Sequence, residues 1–414
     1  MWERTVVPER RDDYLMSRLH GSPPPLWLLC FGFVLCGMVT VLPGPLLPVM
    51  AARWGLHDLQ SGGFFAAEFL ASTVGSIFSP WRLRRHLPAG YALMILGLLL
   101  LVAGPTATQP AIGHAIGLAA FALIGLGIGL SVTATNLTVA RMGAAEKGRA
   151  RRLSVVNLFW GAGSVACPWL IAAAERVGML ESLLAGMALL AAAIFLALAP
   201  LLRGGEAASV SWTRSSWRAQ AGILGFFALL LFLYVGVETV VGGWVTTYAH
   251  RFSGMTLEQA SLMVSLYWLA LLAGRGLGSM TLRSVPERMV LVPSLCLALA
   301  AVTLLLAPHG TPVVLGAVAA AGFGFGPVFP IAVSRMLGRV RDFRNTGWVF
   351  ALCASGGAVL PWLTGLISTE SGSLRVGFAV PVAALAAILA LAVAENAMLT
   401  GQIPALRAQN SGKT

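Results

Sequence analysis

Two segments of this chain, residues 37–84 and 236–283, align with each other without a gap at an offset of 199 residues. Identical residues occupy the following paired positions: Gly37 and Gly236, Thr40 and Thr239, Gly44 and Gly243, Gly55 and Gly254, Gln60 and Gln259, Leu70 and Leu269, Gly75 and Gly274, and Arg84 and Arg283. Two shorter segments, 163–170 and 356–363, share Gly, Pro, Trp and Leu at an offset of 193 residues. Such a repeat predicts two structurally equivalent halves in parallel orientation.

Long apolar stretches place both halves in a membrane. Apolar residues make up 57% of the chain and charged residues 11%, whereas soluble domains carry about 25% charged residues. Helices of about 20 apolar residues cross a hydrocarbon core of about 30 Å. The predicted fold class is therefore an all-α membrane protein with twelve transmembrane helices in two pseudo-symmetric six-helix bundles. The predicted spans are 26–50, 61–81, 89–106, 112–140, 153–174, 181–201, 219–249, 258–282, 288–307, 312–334, 346–368 and 374–396.

The basic residues are distributed unevenly between the predicted loops. Of the 28 Lys and Arg residues, 23 fall on one side of the spans and four on the other. Because positively charged loops stay in the cytoplasm, we predict a multi-pass protein of the cytoplasmic (inner) membrane with both termini inside. The asymmetry also accounts for the net charge of +12 without a nucleic-acid partner. The predicted domains are a cytoplasmic tail (1–22), an N-terminal bundle (23–202), a cytoplasmic linker (203–218), a C-terminal bundle (219–397) and a second cytoplasmic tail (398–414).

Five segments carry a resemblance to a known family. They are GLGIGLSVTATN (125–136), NLFWGAGSVACP (157–168), YVGVETVVGGWVTTY (234–248), YWLALLAGRGLG (267–278) and GFGFGPVFP (322–330). In the order and spacing of these segments the chain resembles the major facilitator superfamily, and within it most closely the fucose/galactose/glucose permease group. The resemblance implies the major facilitator fold, a cavity between the two bundles, import of a sugar that is often accompanied by protons, and a monomer.

Two acidic residues within the spans are candidates for proton coupling. An ionisable side chain inside a membrane costs roughly 2.5–3.5 kcal/mol on insertion scales, so each is a functional candidate. Glu238 could bind and release a proton, accept hydrogen bonds from a substrate, or pair with Arg275. Glu68 matches Tyr267 at the 199-residue offset, and we expect both to face the cavity; a salt bridge or a helix-end position is the alternative for Glu68. Similar permeases carry an acidic residue where this chain has Val132, so the resemblance supplies no proton site there.

Aromatic and polar residues near the middle of the spans are candidates for substrate binding, with plain core packing as the alternative for each aromatic residue. Aromatic faces stack on the C–H surfaces of sugar rings, while amides and carboxylates bind hydroxyl groups. Arg275 could pair with Glu238, bind an anionic substrate or brace one end of its helix. Gly242 and Gly243 could unwind their helix and turn Trp244 toward the cavity. The candidates are Asn136, Asn157, Trp160, Trp244, Tyr267, Trp268 and Arg275.

Sequence signatures of enzymes and metalloproteins are not found in the chain. It has no nucleotide-binding loop, metal-ligand cluster or nucleophile–base pair, and its five cysteines form no CxxC pair. We therefore predict neither an enzyme nor a bound metal or cofactor. The leading hypothesis is a secondary active transporter that imports a sugar or sugar-like molecule by alternating access, with a proton as the coupling cation. The alternatives are proton-coupled efflux of drugs or metabolites and a non-transporting membrane receptor.

Overall fold

The computed structural model describes residues 24–104, 109–142, 146–200, 217–282, 284–308, 310–339 and 346–411. The predicted N-terminal tail and most of the predicted linker lie outside these ranges. The N-terminal half contains α1 (Leu26–Val41), α2 (Pro43–Trp54), α3 (Asp58–Phe78), a 3-10 helix (Ser79–Arg82), α4 (Leu83–Ala103), α5 (Pro110–Arg141), α6 (Glu146–Arg176) and α7 (Leu180–Leu198). The C-terminal half contains α8 (Trp217–Phe252), α9 (Leu257–Thr281), α10 (Glu287–Leu304), α11 (Thr311–Phe325), α12 (Val328–Arg339), α13 (Thr346–Ser371), α14 (Leu374–Gly377) and α15 (Ala379–Ser411).

Each of the twelve predicted spans is helical over most of the residues that the structure describes. Among the described residues, ten helical spans are long and apolar enough to cross a membrane, and α1 with α2 makes an eleventh although the two are bent by 43°. The remaining predicted span is α3, which is 21 residues long and carries Asp58, Gln60 and Glu68. The all-α membrane fold is therefore confirmed, while hydropathy supports eleven of the twelve predicted spans.

Breaks divide three of the predicted spans. The span 26–50 bends between α1 and α2, where Pro43 begins the second helix, and α11 ends two residues before Pro327. Proline has no N–H to donate and its ring clashes with the carbonyl one turn earlier, so it weakens the helix at both of these breaks. The span 374–396 is divided into α14 and α15, and α15 continues to Ser411, beyond the predicted end of the helix.

Repeated glycines set the closest helix contacts within each bundle. In the N-terminal bundle (α1–α7), Gly37 of α1 packs on the backbone of Trp160 in α6, and Gly163 of α6 packs back on α1. In the C-terminal bundle (α8–α15), their counterparts Gly236 and Gly356 pack α8 against α13. Small residues allow such close approach of helices in a membrane. The repeat in the sequence therefore corresponds to equivalent helix crossings in the two bundles.

The two bundles meet along three pairs of helices. Helix α3 contacts α13 at Gly62, and α2 approaches α8 where Gly44 lies against the backbone of Gly242. Helices α6 and α9 meet through Trp160 and Trp268, whose ring centroids are 5.7 Å apart in an edge-to-face arrangement. These contacts surround a cavity between the bundles.

Candidate functional site

A cavity of about 320 Å³ lies between the two bundles. Its polar lining residues are Thr40, Ser72, Asn157, Glu238, Thr239 and Arg275. Its aromatic lining residues are Phe65, Phe69, Trp160, Trp268, Phe329 and Phe350. The remaining lining residues are small or aliphatic, apart from one cysteine. The cavity is therefore largely apolar and aromatic, with a few polar groups contributed by both bundles.

An ion pair between Glu238 of α8 and Arg275 of α9 lies in the cavity wall. The Arg275 Nη2 donates to Glu238 Oε1 at 3.2 Å, and the two side chains are 31% and 13% exposed, respectively. The pair is thus mostly removed from water while still bordering the cavity. Either charge alone would be costly at this position, because a buried ion needs a partner. Pairing with Glu238 was one of the roles that the sequence left open for Arg275.

Two tyrosines hold Glu238 in place. The hydroxyl of Tyr234, one turn earlier on α8, lies 3.1 Å from Glu238 Oε1. The same hydroxyl lies 2.9 Å from the carbonyl of Phe325 at the end of α11, and with one hydrogen it donates to one of the two at a time. The hydroxyl of Tyr267 donates to the backbone carbonyl of Glu238 at 3.1 Å. Glu238 is therefore held by Arg275 and Tyr267 of α9, while Tyr234 donates either to Glu238 or to the carbonyl at the end of α11.

The cavity brings together five of the nine predicted site residues. These five are Asn157, Trp160, Glu238, Trp268 and Arg275. The other four, which are not among the lining residues that the structure describes, are Glu68, Asn136, Trp244 and Tyr267.

Three of those four residues support the cavity from behind. Trp244 is fully buried, and its Nε1 donates to the carbonyl of Pro361 at 3.2 Å. The expectation that Gly242 and Gly243 unwind the helix is wrong, because α8 runs unbroken through them. The Nδ2 of the lining residue Asn157 donates to the Oδ1 of Asn136 at 3.4 Å. Tyr267 is fully buried beneath Glu238.

Glu68 is buried between helices rather than exposed to the cavity. It is 1% exposed, and its backbone packs directly on Gly125 of α5. The expectation that Glu68 and Tyr267 both face the cavity is wrong, because on each helix the lining residue is the next one along the chain. Their neighbours Phe69 and Trp268, which are equivalent at the same 199-residue offset, line it instead.

The sequence analysis missed several lining residues. Thr40 and Thr239 are identical at the repeat offset and both line the cavity. The repeat was therefore a usable signal for them, as it was for Phe69. Phe329 and Phe350 carry no comparable signal, because a phenylalanine in an apolar helix looks the same whether it faces lipid, core or cavity.

Charged and polar contacts join the bundles on one side of the cavity. Asp58 at the start of α3 accepts hydrogen bonds from both terminal nitrogens of Arg251, at the end of α8, at 2.6 and 2.7 Å. Ser368 of α13 donates to the same carboxylate at 2.5 Å. On the opposite side, the lining residues Asn157 and Phe350 are exposed. The cavity is therefore closed toward Asp58 and reached from the other end of the molecule.

Replacement of Asp58 by asparagine should open the closed side. The substitution removes a bidentate charge-assisted contact of roughly 1.5–3 kcal/mol, so the ratio of closed to open molecules should fall about 10- to 100-fold. Spin labels at the exposed residues Val177 and Val376 report the separation of the bundles on this side. The labels are placed in a background without the exposed Cys296 and the cavity-lining Cys353, because the other three native cysteines are buried away from the cavity. Pulsed electron resonance should show a longer distance in the Asp58→Asn variant.

Arg53→Gln is the matched control. It also removes an ion pair, at 3.2 Å to Glu181, but within the N-terminal bundle and with both side chains about 40% exposed. Exposed pairs contribute roughly 0–1 kcal/mol, so the distance distribution should match that of the unmodified protein. An unchanged distribution in Asp58→Asn would show that the Asp58–Arg251 contact does not hold this side closed.

Two repeated helical bundles around a central cavity that is closed on one side define a membrane transporter. The sequence profile of the Major Facilitator Superfamily matches residues 29–346. The chain therefore belongs to this superfamily of transporters and is not an enzyme. This agrees with the resemblance carried by the five sequence segments.

Individual relatives are distant. A glucose/galactose transporter of Brucella abortus biovar 1 (strain 9-941) is 24% identical over 374 residues, which cover 84% of this chain and 89% of the relative. Among solved structures, the E. coli fucose:proton symporter matches with a TM-score of 0.60 at 20% identity. The match covers 89% of this chain and 97% of the symporter chain. A D-xylose-proton symporter has a TM-score of 0.66 at 12% identity, with 88% and 96% coverage. At these identities the structural likeness shows the fold.

Proposed function

We propose that this protein is a secondary active transporter that imports a sugar or sugar-like small molecule by alternating access, coupled to a cation, the proton. The observation that carries the proposal is the Glu238–Arg275 pair beside two tryptophans in the wall of the central cavity. The names of the Brucella glucose/galactose transporter and of the fucose and xylose symporters support the same substrate class.

The size and chemistry of the cavity favour a small amphipathic substrate. Its volume of about 320 Å³ is at the low end of the roughly 300–1,000 Å³ of ligand pockets. Trp160 and Trp268 offer flat apolar faces for the C–H surface of a sugar ring. Asn157, Glu238 and Arg275 supply donors and acceptors for hydroxyl groups. From outside the cavity, Asn136 binds Asn157 and Tyr267 binds Glu238, while Trp244 packs against the lining residue Phe65.

The coupling proton needs an ionisable group that alternates between two environments. Glu238 and Glu68 are the candidates among the described spans. The position at which similar permeases carry an acidic residue is Val132, which lines the cavity as an apolar residue. Proton binding in this chain therefore falls to carboxylates on other helices.

The distribution of basic residues supports a location in the cytoplasmic (inner) membrane with both termini in the cytoplasm. In this orientation Asp58 lies on the outer side and the cavity opens to the cytoplasm. The resemblance to the permeases supports a monomer as the working unit.

Efflux of apolar compounds is the second candidate function. The observation that favours it is the set of four phenylalanines lining the cavity, Phe65, Phe69, Phe329 and Phe350, because an aromatic and aliphatic lining also suits amphipathic drugs. The small volume and the buried ion pair favour the sugar.

Proton flux in proteoliposomes that contain a pH-sensitive dye tests both functions. Hexoses, deoxyhexoses, disaccharides and amphipathic cations are added outside, with protein-free liposomes as the control. Internal acidification triggered by one sugar is the expected result. Dissipation of an imposed pH gradient by a cation, with no response to any sugar, would support efflux instead.

A further inference from the structure

The buried carboxyl group of Glu68 has a different environment from that of Glu238. Glu68 is 1% exposed, and neither of its side-chain oxygens has a hydrogen-bond partner among the described residues. Glu238, in contrast, is bound to Arg275 and Tyr234. The two acidic residues of the membrane interior are therefore not equivalent.

These environments require different charge states. A carboxylate that is buried without a partner is among the costliest groups in a protein, and it avoids that cost by holding its proton. A carboxylate beside a guanidinium group is stable as an ion. In this conformation the surroundings therefore favour the neutral acid at Glu68 and the ionised form at Glu238.

Few titratable groups surround Glu68. On α6, the thiol of Cys167 interacts electrostatically with it. The α5 residues around Gly125, which pack on the backbone of Glu68, include no ionisable side chain. His114 of α5 contacts α3 further along, at Gln60 and Phe64. The ionisable residue of α13 nearest the middle of its span is Cys353, which interacts with Glu238. No cation among these neighbours stabilises an ionised Glu68, so its proton can leave only when water or a new partner reaches it.

The position of Glu68 links it to the movement that opens the closed side. It lies on α3, the helix that carries Asp58 and contacts α13 across the two bundles. Phe65 and Ser72, three and four residues away on the same helix, line the cavity, and residues at these spacings share a helix face. When α3 separates from α13 or turns, water can reach the carboxyl group.

We propose that Glu68, and not Glu238, carries the coupling proton, while Glu238 and Arg275 form a fixed, internally neutral substrate-binding pair. This inference rests on the proposed proton-coupled uptake. Water outside gives one proton to the Glu68 carboxylate while α3 and α13 are apart. The neutral acid is then buried as the closed side forms. A turn of α3 next brings the carboxyl group to the cavity beside Phe65 and Ser72, and the proton leaves to the cavity water, which is continuous with the inner side. One proton crosses per cycle: the O–H bond that Glu68 forms with the incoming proton breaks when the proton is released, so the carboxyl group ends the cycle as it began.

Glu68→Gln and Glu238→Gln form a matched pair of tests, because each replaces a carboxyl group by an amide of the same shape. Accumulation against a pH gradient and substrate counterflow, which needs no net proton movement, are measured in proteoliposomes with the sugar identified in the dye assay. For one proton per substrate, accumulation by the unmodified protein should change about tenfold per pH unit. Glu68→Gln should retain counterflow but reach an accumulation ratio of about one at every pH gradient.

Glu238→Gln should be less stable, because Arg275 loses its charged partner, but the folded protein should remain coupled. Its apparent KM should rise about 10- to 100-fold because a charged acceptor is lost, while accumulation at saturating substrate should still follow the pH gradient. Two results would overturn the assignment while leaving proton-coupled uptake intact. One is accumulation by Glu68→Gln that follows the pH gradient, and the other is counterflow by Glu238→Gln without such accumulation. Loss of both activities in a well-folded Glu68→Gln protein would show a structural role and would also overturn it. Failure of the unmodified protein to accumulate substrate would instead refute the proposed function.

Discussion

Replacement of Arg275 by alanine should abolish transport and destabilise the protein. Arg275 donates to Glu238, which is 13% exposed in the cavity wall. Removing one partner of a buried pair costs roughly 3–5 kcal/mol, because the other charge remains buried and unpaired. That is a large part of the 5–15 kcal/mol by which proteins are typically stable. The thermal unfolding midpoint in detergent and the yield of monodisperse protein should both fall.

The double variant Glu238→Gln with Arg275→Ala separates stability from transport. Because it removes both charges, most of the lost stability should return, whereas transport should stay absent since the polar pair of the cavity is gone. Arg53→Ala, which breaks the exposed pair with Glu181, serves as the control and should change the midpoint little. A midpoint for Arg275→Ala equal to that of the control would mean that Glu238 is not charged in the folded protein.

Replacement of Gly163 or Gly356 by alanine should have the second large effect. A Cβ at Gly163 would overlap with the backbone of α1, and a Cβ at Gly356 would overlap with the backbone of α8. Neither helix can yield as a flexible side chain does, so the helices must separate, at a cost of roughly 1–3 kcal/mol or more. The yield of folded protein and its unfolding midpoint should fall similarly in both variants, because the two positions are equivalent in the repeat.

Gly186→Ala is the matched control for both. Gly186 lies within α7, and nothing lies within 4 Å of a Cβ built there. Alanine at an open helical position should be neutral or stabilise the helix by roughly 0.5–1 kcal/mol. If Gly163→Ala behaved like Gly186→Ala, the close crossing of α1 and α6 would not contribute to stability.

The repeat, the hydropathy and the glycine spacing together predicted most of the fold. They predicted the all-helical membrane fold and the equivalent packing of Gly163 and Gly356, and hydropathy supports eleven of the twelve predicted spans. They missed the breaks near Pro43 and Pro327 because proline also lies inside unbroken helices of this chain, as Pro88 and Pro168 do. Whether a proline breaks a helix depends on what its neighbours can provide for the freed carbonyl, which is tertiary information.

The candidate site was harder to predict because successive side chains of a helix point in directions about 100° apart. The repeat correctly paired positions in α3 and α9, but it could not show which member of Glu68 and Phe69 faces the cavity. Gly242 and Gly243 illustrate a second limit. Their missing side chains make room for Tyr267 and for Phe65 of the other bundle, so they serve packing in a regular helix rather than unwinding.

The mutual neutralisation of Glu238 and Arg275 determines how membrane voltage acts on the protein. A cavity without net charge, filled by an uncharged molecule, does no electrical work when the bundles rearrange. In the proposed proton-coupled uptake, the electric field then acts on the accompanying ion alone, at about 2.3 kcal/mol per elementary charge per 100 mV, equivalent to about a 50-fold concentration ratio. Uptake of a neutral solute with one cation would therefore generate a current, and the charge moved per solute molecule would count the ions directly.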